Sequence, residues 1–113
     1  MPYVGNEISK EVTLEEKDIL KSKIAKILKE TAGKCEKYIM VSFRKSEIYL
    51  GGKQGEYAYV ELKLLGNLTK DQKNEITKQM SKIYKEILGI SDVYITFHEL
   101  ERENWGYKDK TFA

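Results

Sequence analysis

Shifted against itself by 56 residues, the chain matches its own second half without a gap. Tyr3-Val4 falls on Tyr59-Val60, Thr13 on Thr69 and Lys17 on Lys73. Lys26-Ile27 falls on Lys82-Ile83, Lys29-Glu30 on Lys85-Glu86, Gly33 on Gly89, and Tyr38-Ile39 on Tyr94-Ile95. That is 11 identities over the 43 pairs from Pro2 to Arg44, where average residue usage gives about three. A duplicated unit has to fold twice into the same supersecondary element, which narrows the architecture sharply. The pseudo-repeats run over about residues 2–44 and 58–100 of one domain spanning 1–113.

Each half reads the same way. An apolar stretch comes first, Tyr3 to Ile8 and then Tyr57 to Leu65, the second alternating as a half-buried strand does and the first interrupted by Gly5-Asn6. Thr13-Leu14-Glu15-Glu16 and Thr69-Lys70-Asp71-Gln72 are capping boxes that open helices. Leu20, Ile24, Ile27, Leu28 and Thr31 then share one face, as do Ile76, Met80, Ile83, Tyr84, Ile87 and Leu88. Gly33 and Gly89 stand where a left-handed residue ends each helix. A second strand closes each half, predicted over Tyr38–Phe43 and Val93–His98.

The unit is therefore β-α-β, and two of them predict an α+β, ferredoxin-like fold: one four-stranded sheet with two helices on one face. Ile48-Tyr49-Leu50 before Gly51-Gly52 reads as a further short strand with a tight turn. The tail from Asn104 to Ala113 carries Trp105, Tyr107 and Phe112, too aromatic for a disordered end. The sheet face opposite the helices is expected to be apolar, with Met40, Tyr57, Tyr59 and Phe97 among the residues that could line one side or the other, so oligomerisation is expected to cover it.

Composition excludes several function classes. Twenty basic against 18 acidic residues leave a net charge of +2, too little to argue for nucleic acid, and the lysines are spread along both helices. One cysteine, Cys35, and one histidine, His98, leave no cysteine-based or paired-histidine metal site. No nucleotide-binding glycine motif, nucleophile elbow or zinc-protease motif occurs, and no cofactor is expected. Glu99, Glu101 and Glu103 read as an exposed strand end. The start of the chain lacks a signal-peptide pattern and no run is long enough to span a membrane, so a cytosolic protein is expected, with any export by a leaderless route.

Pro2 is the candidate for chemistry. Removal of Met1 would leave a secondary amine whose unperturbed pKa lies near ~7.7–8.0. An apolar pocket or a neighbouring lysine disfavours the ammonium form. Such an amine is a neutral base near pH 7, suited to moving a proton next to a carbonyl. Alone the Met-Pro start is a weak signal, since many proteins begin that way.

The tail supplies the context. Asn104-Trp105-Gly106, four residues, then Thr111-Phe112-Ala113 resembles the C-terminus of the macrophage migration inhibitory factor and D-dopachrome tautomerase family. In register with it are Pro2, Gly33-Lys34, Tyr38-Ile39, Gly51-Gly52, Leu65-Gly66 and Val93-Tyr94-Ile95. The resemblance covers essentially the whole chain. It implies a homotrimer with active sites at the subunit interfaces and a keto–enol tautomerase acting on small aromatic α-keto acids such as phenylpyruvate, or on dopachrome-like compounds. It implies Pro2 as base, Lys34 on the substrate carboxylate, and Leu65 contacting that carboxylate through its backbone N–H. It places Tyr94 in the pocket from the neighbouring subunit, with Tyr38 and Phe112 as aromatic positions. Thr96 stands where the family's vertebrate cytokine has asparagine, and Trp105 replaces a smaller aliphatic residue at the pocket rim. Tyr57-Ala58-Tyr59-Val60 takes the place of that cytokine's C-x-x-C, so no thiol–disulfide exchange is implied. The other role the resemblance implies is a cytokine-like ligand for a protein receptor, with catalysis secondary.

Overall fold

A computed structural model describes residues 1–113. The first unit is β1 (Tyr3–Ile8), α1 (Leu14–Ala32) and β2 (Met40–Lys45), and the second is β5 (Tyr57–Leu65), α2 (Lys70–Leu88) and β6 (Asp92–Leu100). Between them lies the hairpin β3 (Tyr49–Leu50) and β4 (Lys53–Gln54), and after them β7 (Gly106–Tyr107) and β8 (Lys110–Thr111). The main sheet has the order β2-β1-β5-β6. β1 is parallel to β2, antiparallel to β5, and β5 is parallel to β6. A helical crossover separates the strands of each parallel pair, as parallel pairing requires.

The helices begin and end as their sequences dictate. In both capping boxes the threonine side chain accepts from the third backbone N–H of the helix, while Glu16 or Gln72 reaches back to the cap N–H. Gly33 and Gly89 take φ of 64° and 69° and stop their helices in left-handed caps. The apolar faces lie against alternate residues of the sheet. Val4, Ile8, Ala58, Val60, Leu62 and Leu64 are buried beneath Leu20, Ile24, Leu28, Ile76, Met80, Ile83 and Leu88. The predicted interruption at Gly5-Asn6 does not occur, because Asn6 is satisfied inside the core. Its amide donates to the carbonyls of Val4 and Ser42 at 3.3 and 3.0 Å, and its side-chain carbonyl accepts from the buried Tyr84 hydroxyl. Gly51 and Gly52, both at positive φ, form the two-residue turn between Leu50 and Lys53.

Two expectations need correction. The strand predicted from Tyr38 begins instead at Met40, because Glu36–Tyr38 form a 3-10 turn. The repeat is gapless in sequence, yet its register is not repeated. Tyr3 pairs with Met40, 37 residues on, whereas Tyr59 pairs with Tyr94, 35 residues on. The 3-10 turn absorbs the two-residue difference, so Tyr38 is looped out of the strand that its counterpart Tyr94 enters.

The open sheet face is mixed rather than wholly apolar. Phe97 is level with buried Leu62 and packs against the core. Met40, Tyr57, Tyr59 and Tyr94 do lie on the face opposite the helices, but they share it with Tyr3, Ser42, Glu61, Lys63, Thr96 and His98. Tyr59 Oη lies 2.9 Å from Thr96 Oγ1, which lies 2.8 Å from His98 Nε2, and Glu61 is 3.6 Å from the same imidazole nitrogen. Exposed Met40, Tyr38, Tyr49, Tyr94 and Tyr107 sit at edges, ends and hairpins rather than in its centre. No helix is long and apolar enough to cross a membrane.

Glu99 is not an idle strand end. It accepts from Lys73 Nζ and from the Leu68 backbone N–H, both at 2.7 Å, and ties the end of β6 to the loop that opens α2.

Replacing Tyr84 with Phe strands the buried Asn6 carbonyl, so unfolding in urea at fixed protein concentration should show a loss of about 1–3 kcal/mol. The Lys73 hydrogen bond, with the Leu68 N–H second, holds the Glu99 carboxyl below its usual 4.5. Its contribution is present above that value and is lost as the pH falls through the lower, folded value. Unfolding midpoints of Glu99→Gln should therefore fall less than those of the parent between neutral and acid pH.

Candidate functional site

β1 enters the middle of the sheet at its first residue, so the start of the chain is held between two strands. Pro2 is buried and Met1 half-buried. The Met40 backbone N–H donates to the Pro2 carbonyl at 3.1 Å. On the other side Tyr3 faces Lys63 across the antiparallel ladder, and two further steps bring Leu65 level with Met1. β5 stops there at Gly66, whose φ is 84°, and the Gly66 N–H donates to Leu100 O.

Lys34 arrives from the helix layer. The left-handed turn at Gly33 sends the chain out of α1, and the Lys34 backbone N–H donates back to Leu28 O at 3.1 Å, completing the cap. The internal repeat marks this position. The counterpart of Lys34 is Ile90, fully buried in the core. Where one unit seals its core with isoleucine, the other places a cation.

That cation acts on the chain's terminal amine, carried here by Met1. The amine is held below its ordinary 8.0, first by loss of solvent and second by the Lys34 charge. Both effects disfavour the ammonium form. A neutral amine next to a cation can accept a proton while the cation holds an anionic group nearby.

The residues singled out in the sequence fall into four places. Pro2, Lys34 and Leu65 meet at one end of the sheet, and Tyr38 joins them from the 3-10 turn just before Met40. Tyr94 lies at the other end. Pro2 is level with Glu99, so Tyr94 is five residues along and two strands across, roughly 19 Å from Pro2 within one chain. There it lines an apolar hollow of about 150 Å³ with Tyr49, Leu50, Tyr57 and Tyr59. Thr96 sits on the open face, its hydroxyl already engaged by Tyr59 and His98.

Trp105 and Phe112 form the root of the C-terminal hairpin. The Phe112 N–H donates to Trp105 O at 3.1 Å, and Arg102 Nε donates to Phe112 O at 2.8 Å. Phe112 stacks on Tyr107 with ring centres 6.4 Å apart. The hairpin leaves the sheet at Leu100, level with Leu65, but no hydrogen bond ties β7 or β8 to the sheet or helices.

The sequence reading missed the neighbours that fasten the Pro2 end, namely Tyr3, Gly5 and Ser42. The Tyr3 phenol lies 2.6 Å from Ser42 Oγ. Their signal is the period of two in β1 and β2, which places these residues on one face once the parallel register is known. No three His, Cys, Asp or Glu side chains converge as a metal site would need.

Known proteins match this arrangement closely. The crystal structure of a macrophage migration inhibitory factor-like protein from Entamoeba histolytica is similar over 98% of both chains, at 27% identity and a TM-score of 0.89. The homologue from Prochlorococcus marinus is 25% identical over 98% of this chain and 99% of its own, with a TM-score of 0.89. A fused 4-OT protein solved as an asymmetric trimer shares the fold at 14% identity, with a TM-score of 0.87 over 97% and 95% of the two chains. A search of curated protein sequences gives no match. The sequence model of the family described as Macrophage migration inhibitory factor (MIF) matches residues 1–113, and the chain belongs to that family.

Proposed function

We propose that this protein is a keto–enol tautomerase that acts as a homotrimer, with the Pro2 amine as general base once Met1 is removed. The observation that carries the proposal is the place of Pro2, buried at the head of a strand laddered on both sides, one residue after a terminal amine on which the Lys34 charge acts. Membership of the tautomerase superfamily supports an isomerase kind of reaction. The substrate class is a small aromatic α-keto acid, of which phenylpyruvate is the simplest probe.

The roles follow from chemistry. Lys34 and the Leu65 backbone N–H hold the substrate carboxylate. The lone pair of the Pro2 nitrogen takes a proton from the carbon next to the keto group, the C–H electrons form the enol double bond, the carbonyl π electrons move onto oxygen, and the Pro2 ammonium returns its proton to that oxygen. The reverse direction returns the proton to carbon. Tyr38, Trp105 and Phe112 supply apolar walls. Tyr94 acts from a neighbouring copy, because roughly 19 Å along the sheet separates it from Pro2 in its own chain, and Thr96 lies at the far end of the pocket. Two features support the trimer: a pair of two-stranded hairpins outside the main sheet, a motif of marginal stability in isolation, and exposed Tyr49 and Tyr94 around one hollow.

The processed protein should lack Met1 by intact mass and run as a trimer. Pro2→Gly should lose about a hundredfold or more of phenylpyruvate tautomerisation while keeping its assembly. Full activity in that variant would reject Pro2 as base, and absence of turnover by the processed parent would favour the receptor-ligand role. Lys34→Ala should raise KM through the lost carboxylate contact. It should also move the acid limb of the rate–pH profile upward, because removing a cation favours the ammonium form of the amine.

A further inference from the structure

The residue next to the proposed base makes a contact that neither the strand ladder nor the core requires. Tyr3 Oη lies 2.6 Å from Ser42 Oγ. The partner of Tyr3 in the parallel register is Met40, so the bond runs diagonally, two residues further along β2. The ring reaches there by lying flat along its own strand. A Cβ on Gly5 would stand 2.9 Å from Tyr3 Oη and 3.0 Å from Cε2, closer than carbon atoms tolerate. Glycine at position 5 is the seat on which the ring rests.

Ser42 is in turn held from the other face. Its carbonyl accepts from Asn6 Nδ2 at 3.0 Å, and Asn6 is fastened by the buried Tyr84 hydroxyl. A continuous line of contacts thus runs from α2 through Asn6 and Ser42 to Tyr3, the residue bonded to Pro2. The Met40 N–H on the Pro2 carbonyl adds the last brace. The second unit holds the same diagonal pair, Tyr59 to Thr96, but there the tyrosine follows Ala58 inside the chain, and the Thr96 hydroxyl is shared with His98.

We infer that Tyr3 and Ser42, seated on Gly5, are a positioning pair that holds the N-terminal residue of the processed chain at a fixed place and depth at the end of the sheet. This rests on the reading of Pro2 as the base. The pair acts through Pro2 and touches no reacting atom. Its loss lets the first residue shift and admits water to the end of the sheet, where Lys34 is the charged group that acts on the start of the chain.

The test uses the full, Met1-free protein with phenylpyruvate. Tyr3→Phe and Ser42→Ala should each lower kcat about tenfold with KM within about twofold, and the double variant should be no worse than either single, because both remove one contact. The acid limb of kcat/KM should move up, because water admitted to the Pro2 amine favours its ammonium form. Ser42→Thr keeps the hydroxyl and should restore both. Wild-type kcat and acid limb in folded single variants would overturn the inference, as would losses that add in the double or that track only a lowered unfolding midpoint. If the parent itself turns over nothing, the catalytic reading fails, and the pair is judged by the pH dependence of acylation of the N-terminal amine. An identical limb in the parent and in Tyr3→Phe would then reject it.

Discussion

The structure depends on the placement of β1, the first strand of the chain, at the centre of the sheet rather than at an edge. Chain ends fray unless something ties them down. Here the first strand is laddered on both sides, parallel to β2 and antiparallel to β5, from its first residue. A terminal amine, ordinarily the most mobile group of a protein, is thereby delivered to one fixed point at the end of the sheet. Everything proposed for the site needs that point to be fixed, because a base displaced by an ångström is a poor base.

The core supports the same strand from behind. Buried Asn6 costs free energy unless every polar atom finds a partner, and it has three: Tyr84, Val4 and Ser42. One polar cluster therefore links α2, β1 and β2 across the sequence repeat. Lys10 adds a second link, donating to Leu88 O at 2.9 Å at the end of α2. These contacts join the two units into one body that a simple stack of halves would lack.

Divergence between the halves is where the candidate site lies. Ile90, sealed in the core, corresponds to Lys34 beside the amine, and Ala58 inside a strand corresponds to Pro2 at its start. The 3-10 turn at Glu36–Tyr38 shifts one parallel register by two residues, an even number that keeps every side chain on its face. Tyr38 therefore remains at the Pro2 end while its counterpart Tyr94 enters the far end of the other edge strand. The two equivalent tyrosines thus lie at opposite ends of the sheet.

Much of this was legible in the residues. Both capping boxes, both glycine caps, the helix faces and the ranges of β1 and β5 follow from local chemistry, in which each residue's preference agrees with its surroundings. The duplication identified the β-α-β unit, and the tail with Pro2 and Lys34 identified the family and the candidate base. What the chain's order could not specify was non-local. The two-residue register offset arises from how a crossover loop packs, and identical spacing in both halves hides it. The mixed open face follows from which side of β6 the helices cover, since Phe97 and His98 are neighbours in sequence and opposite in space. The gathering of Pro2, Lys34 and Leu65, and the separation of Tyr94 from them, were decided by strand order alone, because only tertiary pairing converts sequence distance into distance across a sheet.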